Sequence, residues 1–406
     1  MKILIYGLNY YPEQTGIGKY SGEMAEWFAA QGHDVKVIAS PPYYPQWRLP
    51  VSYRNWYHKE YVNGVEIYRC PLYVPKGKVT TLKRLLHLLS FTFSSLPMLA
   101  FRFKWQPHVV INVVPALFTT PAAMLFSKII SAKLVLHIQD FESDAMFGLG
   151  MAKKGFIARS WSRVERFLLR RATRITTISK AMIENAVSKG ANSETALFFP
   201  NWSEISRFES VKGVREFKAS LSLPKGKTLV LYSGNIGKKQ GLDLIVRAAK
   251  LKQSQGLHFV ICGDGAAKLE LQALAAESGL GNISFLPLQP YEKLPQLLAL
   301  ADVHLVIQNA GVADAVLPSK LTNILAVGGN AVITTSADTE MGKLITDYEG
   351  IAVMVKPNCE KDLVRGIELA AVTEKPNRTA INYAQKNLDK VEILSTFRDH
   401  LVKTIE

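Results

Sequence analysis

The sequence predicts two doubly wound α/β domains in tandem, and three observations lead there. At 406 residues the chain is too long for one ordinary core and suits two domains of about 200 residues each. Runs rich in Val, Ile and Leu alternate with amphipathic helical patterns, as in a parallel sheet covered on both faces. The opening pattern of the chain also occurs twice, which calls for two such domains.

The first opening runs strand (Lys2–Gly7), glycine loop (Gly16-Ile17-Gly18), helix (Tyr20–Ala30), Gln31-Gly32 and strand (Asp34–Ser40). The second runs strand (Thr228–Ser233), glycine loop (Gly234–Gly237), helix (Leu242–Gln253), Gln255-Gly256 and strand (His258–Gly263). Further strands are expected at Val109–Val114, Leu134–Ile138 and Arg174–Ser179, then at Ile283–Leu286, Val303–Ile307, Ala331–Thr334 and Ile351–Val355. A Pro–Asn turn in Phe199-Pro200-Asn201-Trp202 marks the boundary, giving domains over 1–200 and 201–380. The last helix, about Ala380–Thr404, has no strand to follow, and residues 381–406 are expected to pack back on the first domain.

Composition narrows the class. With 48% hydrophobic and 20% charged residues the chain is globular. Cys70, Cys262 and Cys359 form no CxxC pair, so they read as buried thiols in a reducing compartment. The start MKILIYG is a strand and a glycine turn, which points to a cytoplasmic protein.

The net charge of +15 is unevenly placed. Residues 1–200 hold 25 Lys and Arg against 12 Asp and Glu, whereas residues 201–406 hold 24 against 22. A basic first half favours a polyanion, either an anionic membrane or a nucleic acid. Leu85–Phe101 is free of formal charge for 17 residues and is flanked by Lys76, Lys78, Lys83, Arg84, Arg102 and Lys104. A span needs roughly 20 mostly apolar residues, so this segment reads as an interfacial helix or as a core helix with a polar cap. In the stretch from Lys153 and Lys154 to Arg174, Arg159, Arg163, Arg166 and Arg170 recur at helical spacing, with Glu165 interrupting the charge. No aromatic interleaving or nucleic-acid module accompanies these cations, so an anionic membrane is the expected partner and nucleic acid is not.

Three loops carry candidate chemistry. Gly16-Ile17-Gly18 and Ser233-Gly234-Asn235-Ile236-Gly237-Lys238-Lys239-Gln240-Gly241 each precede a helix, whose N-terminus attracts phosphate. The first reads equally as a plain tight turn. In Leu317-Pro318-Ser319-Lys320-Leu321-Thr322-Asn323 a helix begins, with Ser319 placed to satisfy a free N–H. Lys320 then opposes the helix dipole, a cost that an anion bound there would offset. No GxxxxGK[ST], GxSxG, HExxH or DxD occurs, so neither a metal nor another cofactor is expected.

Taken in order, the runs Tyr11 to Tyr20, Gly32 to Val37, Ile178 to Ala181, Phe199 to Trp202, Tyr232 to Gly241, Gly263 to Gly265, Asn282 to Pro287, Leu317 to Leu321 and Ala326 to Asn330 carry a specific resemblance. Over nearly its whole length the chain resembles the retaining GT-B glycosyltransferases of family 4, most closely those of colanic acid biosynthesis. The resemblance implies two Rossmann-like domains facing a central cleft, with the sugar donor seated mainly in the second. Gly263, Gly265 and Leu288 would lie by the base, and Gly234, Asn235, Lys239, Ser319, Lys320 and Leu321 by the diphosphate. Asn323 would lie by the ribose, Gly16 and Gly18 would face the donor, and Asp140 would stand near the reacting centre with Lys320. The resemblance further implies a nucleotide-diphosphate sugar, with GDP-fucose as the favoured donor. The implied acceptor is a polyprenyl-diphosphate-linked saccharide, held by a first domain whose Lys83, Arg84, Arg102 and Lys104 meet the membrane.

The chain also departs from the family pattern. Asn235 and Gln240 stand where the family has a phosphate-binding Arg and Lys, Ala315 and Asn323 where it has two glutamates, and Gln139 where it has a His. Two other functions compete with transfer. One is a nucleotide-sugar epimerase or hydrolase, which would need further carboxylates and His. The other is a non-catalytic sugar-nucleotide-binding partner.

Overall fold

The computed structural model describes residues 1–13, 16–77, 80–114, 117–141, 156–309 and 317–406. Lys78, Lys153, Lys154 and Ala315 lie outside them, and Lys239 is described in its backbone only. The chain divides into two compact units, Met1–Pro200 with Leu394–Glu406, and Asn201–Ile393.

The first unit is built on an eight-stranded sheet. Its strands are β1 (Lys2–Gly7), β2 (Asp34–Ala39), β3 (His58–Val62), β4 (Val65–Arg69), β5 (Val109–Val114), β6 (Lys133–Ile138), β7 (Arg174–Thr177) and β8 (Ala196–Phe198). They lie in the order β3-β4-β2-β1-β5-β6-β7-β8, and every neighbouring pair is parallel except β3 with β4. All six residues of β5 are buried, as a central parallel strand requires. The β3–β4 hairpin was not anticipated from the sequence. Asn63 and Gly64 turn it, with φ of 49° and 81°, the left-handed pair of a tight two-residue turn.

In the second unit the strands are β9 (Thr228–Ser233), β10 (Leu257–Cys262), β11 (Ile283–Leu286), β12 (Val303–Val306), β13 (Ala331–Thr334) and β14 (Ala352–Val355). All neighbours are parallel in the order β11-β10-β9-β12-β13-β14. After β11 the chain crosses to the far side of β9, so the topological switch falls between β9 and β12. In sheets of this kind ligands bind at the carboxyl ends of the strands beside that switch.

Two helices differ from expectation. The helix after β9 covers only Asp243–Ala249, and Lys252–Gly256 forms a separate 3-10 turn. The C-terminal helix is two helices, Arg378–Asn387 and Lys390–Ile405. They part because Asp389 Oδ1 accepts from the N–H groups of Val391 and Glu392, starting a new helix, while Ser203 bonds the backbone of Leu388 and Lys390. From Leu394 the chain belongs to the first unit, where Phe397 stacks on Phe199 at 4.0 Å and lies 6.2 Å from Phe28.

The segment Leu85–Phe101 falls in the helix Thr81–Ala100. One face buries His87, Leu88, Phe91, Ser95 and Leu99, and the other exposes Leu82, Leu86, Phe93 and Leu96. The helix thus packs one face into the core and leaves the other apolar and exposed. Among the described residues no helix is long and apolar enough to cross a membrane.

Candidate functional site

At the switch point the loops after β9 and β10 are closed on each other. Gly234 N–H donates to the Cys262 carbonyl at 3.0 Å, Ile236 N–H to the Asp264 carbonyl at 2.8 Å, and Ala267 N–H to the Ile236 carbonyl at 2.9 Å. Gly234, Gly263 and Gly265 adopt φ of 147°, 154° and 153°, conformations that exclude most other residues. A Cβ on Gly263 would overlap the Gly234 carbonyl oxygen, and one on Gly265 would overlap that of Ile236. The glycines thus serve close approach of two backbones, leaving the Asn235 side chain exposed at the rim.

The helix Ser319–Ala326 brings Lys320 to this double loop. A Cβ on Gly234 would stand 3.3 Å from Lys320 Nζ. Lys320 Nζ donates to the Tyr232 hydroxyl at 2.9 Å and lies 4.2 Å from the centre of that ring. The Tyr232 hydroxyl in turn donates to the Asn235 carbonyl at 2.7 Å. Lys320 has no carboxylate partner among the described residues, and burial lowers its pKa to about 8. Burial pushes the Tyr232 phenol the other way, so it stays protonated. A desolvated ammonium held by one neutral hydroxyl is the electrostatic half of an anion site.

Several residues expected here play other parts. Leu321 is fully buried in the core, so its side chain lines no site. Pro318 occupies the cap position, and Ser319, the first helical residue, makes no side-chain cap bond. Asn323 Oδ1 accepts from Ser203 Oγ at 2.8 Å, tying the helix to the connector. Leu288, just after β11, is exposed. The sequence reading missed Tyr232 and Asn309. Asn309 Nδ2 donates to the Lys238 carbonyl at 3.3 Å and so props the same glycine loop. Gln240, in the family's lysine position, leaves its Oε1 buried without a partner.

In the first unit Gly16 opens the helix Gly16–Ala30 at φ 58°. Gly18 lies against Glu13, whose Cβ would be 2.6 Å from a Cβ placed on Gly18. Glu13 is only 4% exposed and accepts from the N–H groups of Tyr43 and Tyr44 and from Asn9 Nδ2. Burial raises its pKa, yet three donors hold the carboxyl, which makes it a clamp between the loops after β1 and β2.

After β6, His137 is buried and held neutral, its pKa pushed down to about 3 by burial. It bonds Thr176 Oγ1 at 2.9 Å and Gln139 Nε2 at 3.0 Å. The imidazole therefore orients Gln139 and is not an acid–base group. Asp140 follows, exposed at the end of the strand.

The basic residues also separate into two groups. Arg102 turns inward: it stacks over Tyr68 at 3.8 Å, pairs with Glu66 at 3.7 Å and bonds the Tyr68 hydroxyl. It is not a cation reaching for headgroups, which corrects the sequence reading. Lys83 Nζ bonds the Lys76 carbonyl at 2.9 Å, Arg84 is partly buried, and Lys104 is exposed.

On the helix Phe156–Arg171, Arg159, Arg163, Arg166 and Arg170 are all exposed. Glu165 faces inward to Lys189 at 3.3 Å, so the arginine face carries no opposing charge from it. The helix Thr120–Ile129 touches both this helix and Thr81–Ala100, and exposes Leu125 and Ile129. Apolar and basic groups therefore share one side of the unit. Among the described residues no three His, Cys, Asp or Glu side chains are grouped to hold a metal ion.

Comparison with known proteins agrees with this architecture. Residues 15–202 match the glycosyl transferase 4-like domain, and residues 213–387 match glycosyl transferases group 1. The putative colanic acid biosynthesis glycosyl transferase WcaI of Escherichia coli (strain K12) is 51% identical over 403 residues, covering 98% of each protein. Sucrose-phosphate synthase from Thermosynechococcus elongatus shares the fold with a TM-score of 0.77 over 99% of both chains, at 14% identity. HepE from Anabaena, solved with UDP, reaches 0.71 over 99% of this chain and 100% of its own, also at 14% identity. The chain belongs to the GT-B glycosyltransferases of family 4.

Proposed function

We propose that the chain is a retaining, metal-independent hexosyltransferase that moves a sugar from a nucleotide-diphosphate donor to a polyprenyl-diphosphate-linked saccharide in exopolysaccharide assembly. GDP-fucose is the donor we favour, and the name of the E. coli relative supports a colanic-acid-like product. The observation that carries the donor part is Lys320, a desolvated ammonium beside a backbone loop that only glycines can form. A diphosphate supplies the missing negative charge.

In the proposed reaction the acceptor hydroxyl oxygen bonds to the anomeric carbon on the face that the donor diphosphate leaves. The electron pair of the breaking C–O bond passes to the phosphate oxygen, which takes the hydroxyl proton. Lys320 stabilises charge growing on that oxygen, and Asp140 is assigned to the reacting centre. The first unit would rest on the inner face of the cell membrane through its arginine and apolar side, as a peripheral cytoplasmic protein.

The deciding experiment supplies the purified chain with GDP- and UDP-sugars in EDTA, with and without a lipid-linked acceptor. Acceptor-dependent release of nucleotide diphosphate with a glycosylated lipid is expected. Release without acceptor would make the chain a hydrolase or epimerase, and no release from any donor would make it a binding partner.

A further inference from the structure

Lys320 alone does not explain how its charge is aimed. An ammonium on a four-carbon stem is flexible, and a site for a diphosphate needs its N–H bonds directed. The described residues offer Lys320 one polar side-chain partner, the Tyr232 hydroxyl on β9, 88 positions earlier in the chain. That hydroxyl is fixed in turn. Tyr232 is fully buried, its proton is donated to the Asn235 carbonyl, and its oxygen lone pairs are left facing Lys320. The ring below adds a cation–π contact. One acceptor in one direction leaves the remaining N–H bonds of the ammonium to the space over Gly234, where even a Cβ would press on Nζ.

We propose that Tyr232 is a positioning residue for the donor diphosphate: its hydroxyl, locked by the Asn235 carbonyl, aims the Lys320 ammonium across the glycine loop. This rests on the reading of Lys320 as the diphosphate anchor. Tyr232 thereby couples the loop to the lysine, so that a shift of Asn235 moves the charge as well. The hydroxyl also gives the charged form of the lysine an acceptor: among the described residues no charged side chain faces Lys320 from β9, the glycine loop or its own helix, and desolvation lowers its pKa. Removing the hydroxyl while keeping the ring should leave the lysine still less able to hold its proton.

The test is calorimetric binding of GDP and of UDP to the full chain at pH 6.5 and pH 8.5. Wild type is compared with Tyr232→Phe, Lys320→Met and the double variant. For Tyr232→Phe the expected result is a loss of at least ~10-fold at pH 6.5, where the lysine is charged and only its aim is lost, and a larger loss at pH 8.5. In the Lys320→Met background, Tyr232→Phe should add less than twofold. A loss of the same size in the Lys320→Met background would reduce Tyr232 to a structural support and overturn the proposal, as would unchanged affinity at both pH values. If Lys320→Met itself binds both nucleotides as wild type does, the anchor reading fails first, and the two failures are thereby told apart.

Discussion

Gly263 and Gly234 meet backbone to backbone: a side chain on the first would occupy the carbonyl oxygen of the second. The turn after β10 therefore lies flat against the turn after β9. Gly263→Ala should force the turns apart, at a cost of about 1–3 kcal/mol from the strained φ alone. The donor KM is expected to rise at least ~10-fold, and the melting temperature to fall by about 2–10 °C. A KM within twofold of wild type would place the donor elsewhere.

Lys320→Ala removes the ammonium that lies over Gly234. One charge-assisted contact to a departing group is worth roughly 2–4 kcal/mol in the transition state, so kcat should fall at least ~30-fold. A decrease below threefold would take Lys320 out of the site.

The same lysine should weaken the fold that carries it. Its folded-state pKa, about 8, lies below the ordinary 10.5, so between these values the unfolded chain binds the extra proton. This group's contribution therefore makes stability rise with pH from about 8 to 10.5, and below 8 the charged form costs about 3 kcal/mol. Lys320→Met should melt several degrees higher than wild type at pH 7, the gap narrowing by pH 9.5, while losing activity. A Met variant that melts lower at pH 7 would show that the ammonium is not desolvated.

Glutamates at 159, 163, 166 and 170 in place of the arginines should abolish binding to anionic vesicles. Each lost cation is worth about 1 kcal/mol at the surface, so the affinity should fall by three orders of magnitude or more at low salt. Co-sedimentation with phosphatidylglycerol vesicles reads this directly. If the wild type itself stays in the supernatant at low salt, the surface role is wrong.

How much of this was legible depended on whether an interaction is local in sequence. The parallel strands announced themselves because burial on both faces makes continuous apolar runs such as Val109–Val114. Lys320 was legible because its place in the first turn of a helix is unfavourable without an anion. The β3–β4 hairpin was missed although Asn63-Gly64 is a strong turn signal, because its five-residue strands carry Lys59, Glu60, Glu66 and Arg69 and break the apolar run.

That omission had a consequence for Arg102. Its partners Tyr68 and Glu66 lie on β4, so without the strand the arginine looked free for headgroups. The break at Asp389 was similarly readable as an N-cap within an otherwise helical pattern. Tyr232 was not readable. Its partner lies 88 residues away, and only the folded sheet brings the two together.

The stack of Phe397 on Phe199 has a consequence for how the molecule is made. Leu394–Glu406 supplies Leu394, Phe397 and Leu401 to the interior of the unit formed by the first 200 residues. During synthesis, that unit waits with an open seam while the whole of the second is translated. The part of the chain that emerges first from the ribosome is thus the last to be finished.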